Sequence, residues 1–135
     1  MQIQFLGAAR TVTGSKHLIT TSLNKKILLD CGLFQDRGAD NNTLNRRFDF
    51  DPAEIDYLIL SHAHMDHAGS LPFLVKSGFR GEIYATPATF DLCEIMLADS
   101  ARIQEQDVYY INKRRSRDGK PLLEPRPTSD QLLMR

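Results

Sequence analysis

The stretch Ser61-His62-Ala63-His64-Met65-Asp66-His67-Ala68-Gly69 decides how this sequence folds and which chemistry it can host. His62, His64 and His67, three of the chain's four histidines, fall inside it. In an extended or gently turning segment, residues two apart face the same way, so His62 and His64 present two imidazoles to one metal ion. Asp66 and His67 lie one turn onward. A carboxylate with a third imidazole suits a second ion, and paired ions in hydrolases sit about 3.5 to 4 Å apart. Ala63, Ala68 and Gly69 leave room for ions and a substrate. Nitrogen and carboxylate donors without thiolate favour zinc, with manganese or iron as alternatives. Two such ions would acidify a shared water and clamp the group under attack, and Asp66 is the candidate catalytic residue because it is placed to orient that water.

The flanks of this stretch read as α/β. Ile55 to Leu60 is almost continuously apolar, which predicts a strand covered on both faces inside an α/β sandwich. Ser70 to Gly78 has a capping Ser, an early Pro and a closing Gly, the pattern of a short helix. Gly81 to Ala85 predicts a further strand. Thr86 can cap a helix with Pro87 in its first turn, and Phe90, Cys93, Leu97 and Ala101 recur at helical spacing, predicting one long amphipathic helix to about Ile111. On the N-terminal side, Ile3 to Leu6, Ser15 to Thr21 and Lys25 to Asp30 predict three strands, the last two joined by a turn at Leu23-Asn24. Cys31 to Pro52 is polar and irregular, a surface loop long enough to carry function. No internal repeat occurs.

Other residues carry smaller claims. Asp30 ends a strand expected beside the metal strand, where it either supports a ligand by a hydrogen bond or caps a turn. His17, inside a strand, reads as structural, and Cys31 as a small core residue. Lys113-Arg114-Arg115-Ser116-Arg117 is either a solvated helix end opposing the helix dipole or a set of phosphate contacts.

The 135 residues are 41% apolar, enough for one domain or part of one. Seventeen basic residues balance 17 acidic ones, so no global field draws the chain to a polyanion, and affinity for one must be local. Two cysteines without a CxxC pair, a start lacking the basic and apolar regions of a signal peptide, and no apolar run of membrane-spanning length predict a cytoplasmic protein with no membrane partner.

Ser61 to Gly69 resembles the signature of the metallo-β-lactamase superfamily. Met1 to Gly14 (MQIQFLGAARTVTG) and Leu29 to Gln35 (LDCGLFQ) are similar, more narrowly, to its β-CASP branch of RNA-processing nucleases, and the similarity runs to about residue 111. The resemblance implies an α/β fold, the N-terminal portion of an αββα sandwich. It implies that His62 and His64 hold the first metal, Asp66 and His67 the second, that Asp30 supports the site, and that the reaction is phosphodiester hydrolysis of RNA. Family members complete their sites with another histidine, a bridging aspartate and a further histidine, whereas here no histidine follows His67. The expectation is therefore a truncated segment, inactive alone. Residues 1–119 would be part of the domain and 120–135 a connection onward. The remainder of the domain or a homo-oligomer partner would complete the site. The alternatives are a small-molecule hydrolase of the same fold, such as a thioesterase or lactonase, and a non-catalytic binding or assembly segment.

Overall fold

The computed structural model describes residues 1–35 and 41–123. It divides into two compact units, Met1–Cys93 and Glu94–Arg135. The expected onward connection at 120–135 lies mostly outside the described residues.

The first unit is built on a five-stranded sheet: β1 (Gln2–Phe5), β2 (His17–Thr20), β3 (Lys26–Leu29), β4 (Tyr57–Ile59) and β5 (Glu82–Tyr84), in that spatial order. β1, β2 and β3 run antiparallel, the expected meander. Asn24 turns the chain with a φ of 58°, the left-handed conformation that asparagine tolerates, and the Thr21 N–H donates to the Lys25 carbonyl across the turn. β3, β4 and β5 are parallel, so the chain must cross over twice. The first crossover includes a short helix α1 (Asn41–Leu44) and a 3-10 turn (Pro52–Glu54). The second carries α2 (Met65–Ala68) and α3 (Leu71–Lys76). Helix α4 (Pro87–Arg117) follows, and the boundary between the two units falls within it.

Leu18, Leu28 and Leu58 are partners across β2, β3 and β4, so they stand on one face of the sheet. All three are buried, as are Leu71 and Leu74 of α3, Ile55, Leu60 and Phe79. Asp56 clamps β3 to this core edge: its carboxylate accepts from Lys25 Nζ at 2.7 Å and from the Lys26 N–H at 2.8 Å. The Lys25 ammonium, then the Lys26 N–H, holds that carboxyl below its usual range. The clamp is therefore present above the ordinary carboxylate range and is lost as pH falls through the lowered value.

Four sequence expectations change. The strand at Ile55 to Leu60 is covered on one face only: Ile59 is 43% exposed, and Ile3 (46%) and Phe5 (68%), on the same face opposite the leucines, are exposed too. A continuous apolar run does not reveal whether a second layer is present. Ser70 precedes α3 without capping it, because its hydroxyl donates instead to the Gly32 carbonyl at 2.9 Å. Helix α4 reaches Arg117 rather than Ile111, since Lys and Arg are good helix formers and the stop comes from Gly119, whose φ is +64°. Its apolar repeat is also not a buried stripe: Thr89 and Cys93 are the buried positions and Phe90 is exposed. The Thr86 cap is as expected, its Oγ accepting from the Thr89 N–H.

Cys31 is fully buried, the core residue anticipated from sequence. Burial, opposed by Lys16 and assisted by Asp30, pushes its thiol up to about 12 from 9.0. Because only the thiolate reacts, a disulfide reagent at pH 8 is expected to label Cys31 about a thousandfold more slowly than a free cysteine. Rapid labelling of both cysteines in the folded protein would contradict this burial.

Candidate metal centre

β4 ends at Ile59 and the chain leaves the sheet at the edge where β3 also ends, so residues 60–67 and Asp30 meet by parallel register rather than by proximity in sequence. His64 occupies the N-terminal boundary of α2, and its carbonyl accepts from the N–H groups of His67 and Ala68. This single turn carries Asp66 and His67 back over the His62–His64 segment. The ring centroids of His62 and His64 are 4.7 Å apart, and those of His62 and His67 are 4.0 Å apart. Asp66 Oδ2 lies 3.6 Å from His67 Nε2. The four sequence-predicted ligands thus share one loop and one short helix.

Asp30 is the hub beneath them. It is 4% exposed, and its φ of 59° places it in the left-handed region, uncommon for any residue with a Cβ. Its Oδ1 accepts from the Ser61 N–H at 2.8 Å, and its Oδ2 accepts from Ser61 Oγ at 2.9 Å and lies 2.8 Å from His67 Nδ1. Ser15 Oγ adds a longer bond of 3.4 Å. An acceptor-only carboxylate against Nδ1 requires the proton on that nitrogen, which leaves the lone pair of His67 on Nε2. Ser61 extends the same logic. With its hydroxyl proton committed to Asp30, its oxygen accepts from His62 Nδ1 at 2.9 Å, so His62 also keeps its lone pair on Nε2.

This ordering is the supporting arrangement that imidazole ligands of a metal ordinarily have, each ring holding its other N–H in a hydrogen bond. The donor chemistry therefore fits a divalent ion. Among the described residues, however, no three His, Cys, Asp or Glu side chains are grouped as a metal site, and the rings of His62, His64 and His67 lie against one another instead.

Sequence reasoning assigned no role to Ser61, Ser15 or Gly32. Ser61 was legible only as the residue between an apolar strand and the first histidine. Gly32 admits the backbone of α2: a Cβ there would lie 1.6 Å from the Asp66 carbonyl oxygen and 2.1 Å from its carbon. Around it the N–H groups of Cys31, Leu33 and Ser15 donate to the carbonyls of His67 (2.7 Å), Met65 (2.9 Å) and Asp66 (2.8 Å). Every residue of the turn Met65 to His67 is thereby tied to a neighbouring strand end. His17 lies in β2 with its ring edge-on to Phe5, and its Nε2 is 3.5 Å from Ser15 Oγ.

A histidine-rich loop at the ends of parallel strands, with a buried aspartate beneath it, is the setting in which comparison with known proteins is made. Residues 14–129 match the sequence model of the metallo-beta-lactamase superfamily, and the chain belongs to that superfamily. Among curated relatives, it is 45% identical over 109 residues to ribonuclease TTHA0252 of Thermus thermophilus, covering 81% of this chain and 25% of that protein. It is 35% identical to the transcription termination factor FttA of Methanosarcina mazei, covering 73% of this chain and 16% of that protein. It is 39% identical to cleavage and polyadenylation specificity factor 73 of Drosophila melanogaster, covering 76% of this chain and 15% of that protein. The chain thus spans a quarter or less of the length of these relatives.

Proposed function

We propose that this chain carries the first four ligands of a metal-dependent hydrolase of RNA phosphodiesters, His62 and His64 for one ion and Asp66 and His67 for a second, with zinc as the metal. The observation that carries the reading is the Asp30–Ser61 relay, which leaves Nε2 of both His62 and His67 free to coordinate. The names of the nuclease relatives support RNA as the substrate. When bound, the ions supply Lewis acidity and an activated water. Asp30 and Ser61 orient the two imidazoles, and the Asp66 carboxylate would orient the attacking water. Because the described donors do not converge around one point, further ligands come from the rest of the domain or from a second copy. The protein works in the cytoplasm.

Two measurements test this. Zinc affinity by competition with a chromogenic chelator is expected to fall on the order of a hundredfold or more in His62→Ala and in Asp66→Ala, beyond the roughly 10–100-fold that supporting partners contribute. Unchanged zinc binding would refute the ligand assignment. The longer protein containing this segment, offered labelled RNA and a panel of thioesters, is expected to cleave RNA; intact RNA beside hydrolysed thioester would refute the substrate.

A further inference from the structure

The last two turns of α4 carry a basic face that the metal centre does not use. Tyr110, Lys113, Arg114 and Arg117 follow at spacings of three, four and seven, so they line one side of the helix. All four are exposed, Tyr110 to 66%. None of the three cations has an acidic partner among the described residues, while nearby Asp118 pairs with Lys120 at 3.6 Å. Asp107, one turn before Tyr110, bounds the stripe.

The ordinary explanation of such a cluster is service to the helix end, and the geometry leaves that task to other groups. Gly119 turns the chain, and the carbonyls of Arg114, Arg115 and Ser116 accept backbone N–H groups from Asp118, Lys120 and Gly119. The segment after the turn then folds back. Asn112 Nδ2 donates to the Leu123 carbonyl at 2.8 Å, the Leu123 N–H donates to Asn112 Oδ1 at 2.7 Å, and Arg115 Nε donates to the Pro121 carbonyl at 2.6 Å. Arg115 is thus consumed by the return strap, on a different side of the helix from the stripe. Lys113, Arg114 and Arg117 are left pointing at solvent with an open aromatic ring one turn away.

We propose that Tyr110, Lys113, Arg114 and Arg117 form a docking stripe for single-stranded RNA, the cations meeting successive phosphates and the Tyr110 ring stacking on a base. Guanidinium groups meet phosphate oxygens in pairs, and a solvent-exposed ring among cations provides the sequence-tolerant stacking platform that single strands use. An acidic protein would answer the charge and leave the ring unexplained. The inference rests on RNA being the substrate class proposed above, and deepens it by naming residues that would hold the strand.

The test is the affinity of the 135-residue chain for a fluorescent 20-nucleotide single-stranded RNA, titrated at several salt concentrations in EDTA so that binding is read without cleavage. Each phosphate contact to a single strand contributes about 0.7 to the slope of log affinity on log salt, so Lys113→Gln/Arg114→Gln/Arg117→Gln is expected to lower the slope by about 2 and weaken binding about a hundredfold at 0.1 M salt. Tyr110→Leu is expected to weaken binding about tenfold at unchanged slope. Arg10→Gln/Lys76→Gln/Arg102→Gln removes the same charge from exposed cations outside the stripe and is expected to retain the slope; circular dichroism confirms that each variant keeps its helix. Equal affinity and slope in the stripe variant and the wild type would overturn the proposal. So would poly-glutamate binding as tightly as RNA. Failure of the hydrolase reading looks different: RNA binding that depends on the stripe, with no cleavage by the metal-loaded longer protein.

Discussion

Gly32→Ala is expected to cost about 3 kcal/mol or more of folding stability, by urea unfolding followed by circular dichroism, and to abolish metal binding with it. The added methyl would sit 1.6 Å from the Asp66 carbonyl oxygen and 2.7 Å from the His67 nitrogen. Both are backbone atoms inside a short helix, so no flexible side chain can swing aside. Relief requires α2 to move away, and that motion breaks the bonds from Cys31, Leu33 and Ser15 that hold the turn. Each is worth about 1 kcal/mol net, and more where a buried donor is left without a partner. Gly78→Ala makes the comparison. Its φ of +115° also disfavours a side chain, but the added methyl meets only atoms at ordinary contact distance, so the expected cost is about 1 kcal/mol. Equal stability of Gly32→Ala and the wild type would show that the strand end and α2 do not pack this closely.

Substitutions at Asp30 are expected to separate ligand orientation from folding. Asn tolerates the left-handed φ of 59° and its carbonyl can still accept from the Ser61 N–H, so Asp30→Asn should fold. Its amide would, however, turn an N–H towards His67 Nδ1 in place of an acceptor. The His67 proton then moves to Nε2, the nitrogen needed for coordination, and zinc affinity is expected to fall 10–100-fold, roughly the effect of losing a supporting partner. Asp30→Ala removes the acceptor for both Ser61 and His67. It is expected to add about 2 kcal/mol of destabilisation to the same loss of affinity. The tautomer is directly readable: long-range nitrogen–proton spectra of the imidazoles should place the His67 proton on Nδ1 in the wild type and on Nε2 in Asp30→Asn. Nδ1-protonated His67 in both, with equal zinc affinity, would remove Asp30 from its proposed role.

The clustering of His62, His64, Asp66 and His67 was readable because it is local. Four donors within six residues need no knowledge of the rest of the chain, and neither do the Asn24 turn or the Thr86 cap. The meander was readable for the same reason, since alternating short runs separated by turn residues specify antiparallel neighbours. What reached across the chain was partly legible. Asp30 was placed beside the metal strand by the expectation of adjacent strands, but its contact with His67, 37 residues away, depends on the parallel register of Leu29 with Ile59. Apolar content alone could not say that Ile59 faces water while Leu58 does not.

By itself, then, the amino-acid sequence determined the superfamily and which residue types bring nitrogen and oxygen donors together in one short stretch. The tertiary structure decided which nitrogen of His62 and His67 stays free, why position 32 must lack a side chain, and which of the C-terminal cations stand open. The reason is physical. Periodicity and spacing report on neighbours within a turn or two, whereas proton placement, backbone clearance and the fold-back over Arg115 follow from groups brought together only when distant segments dock.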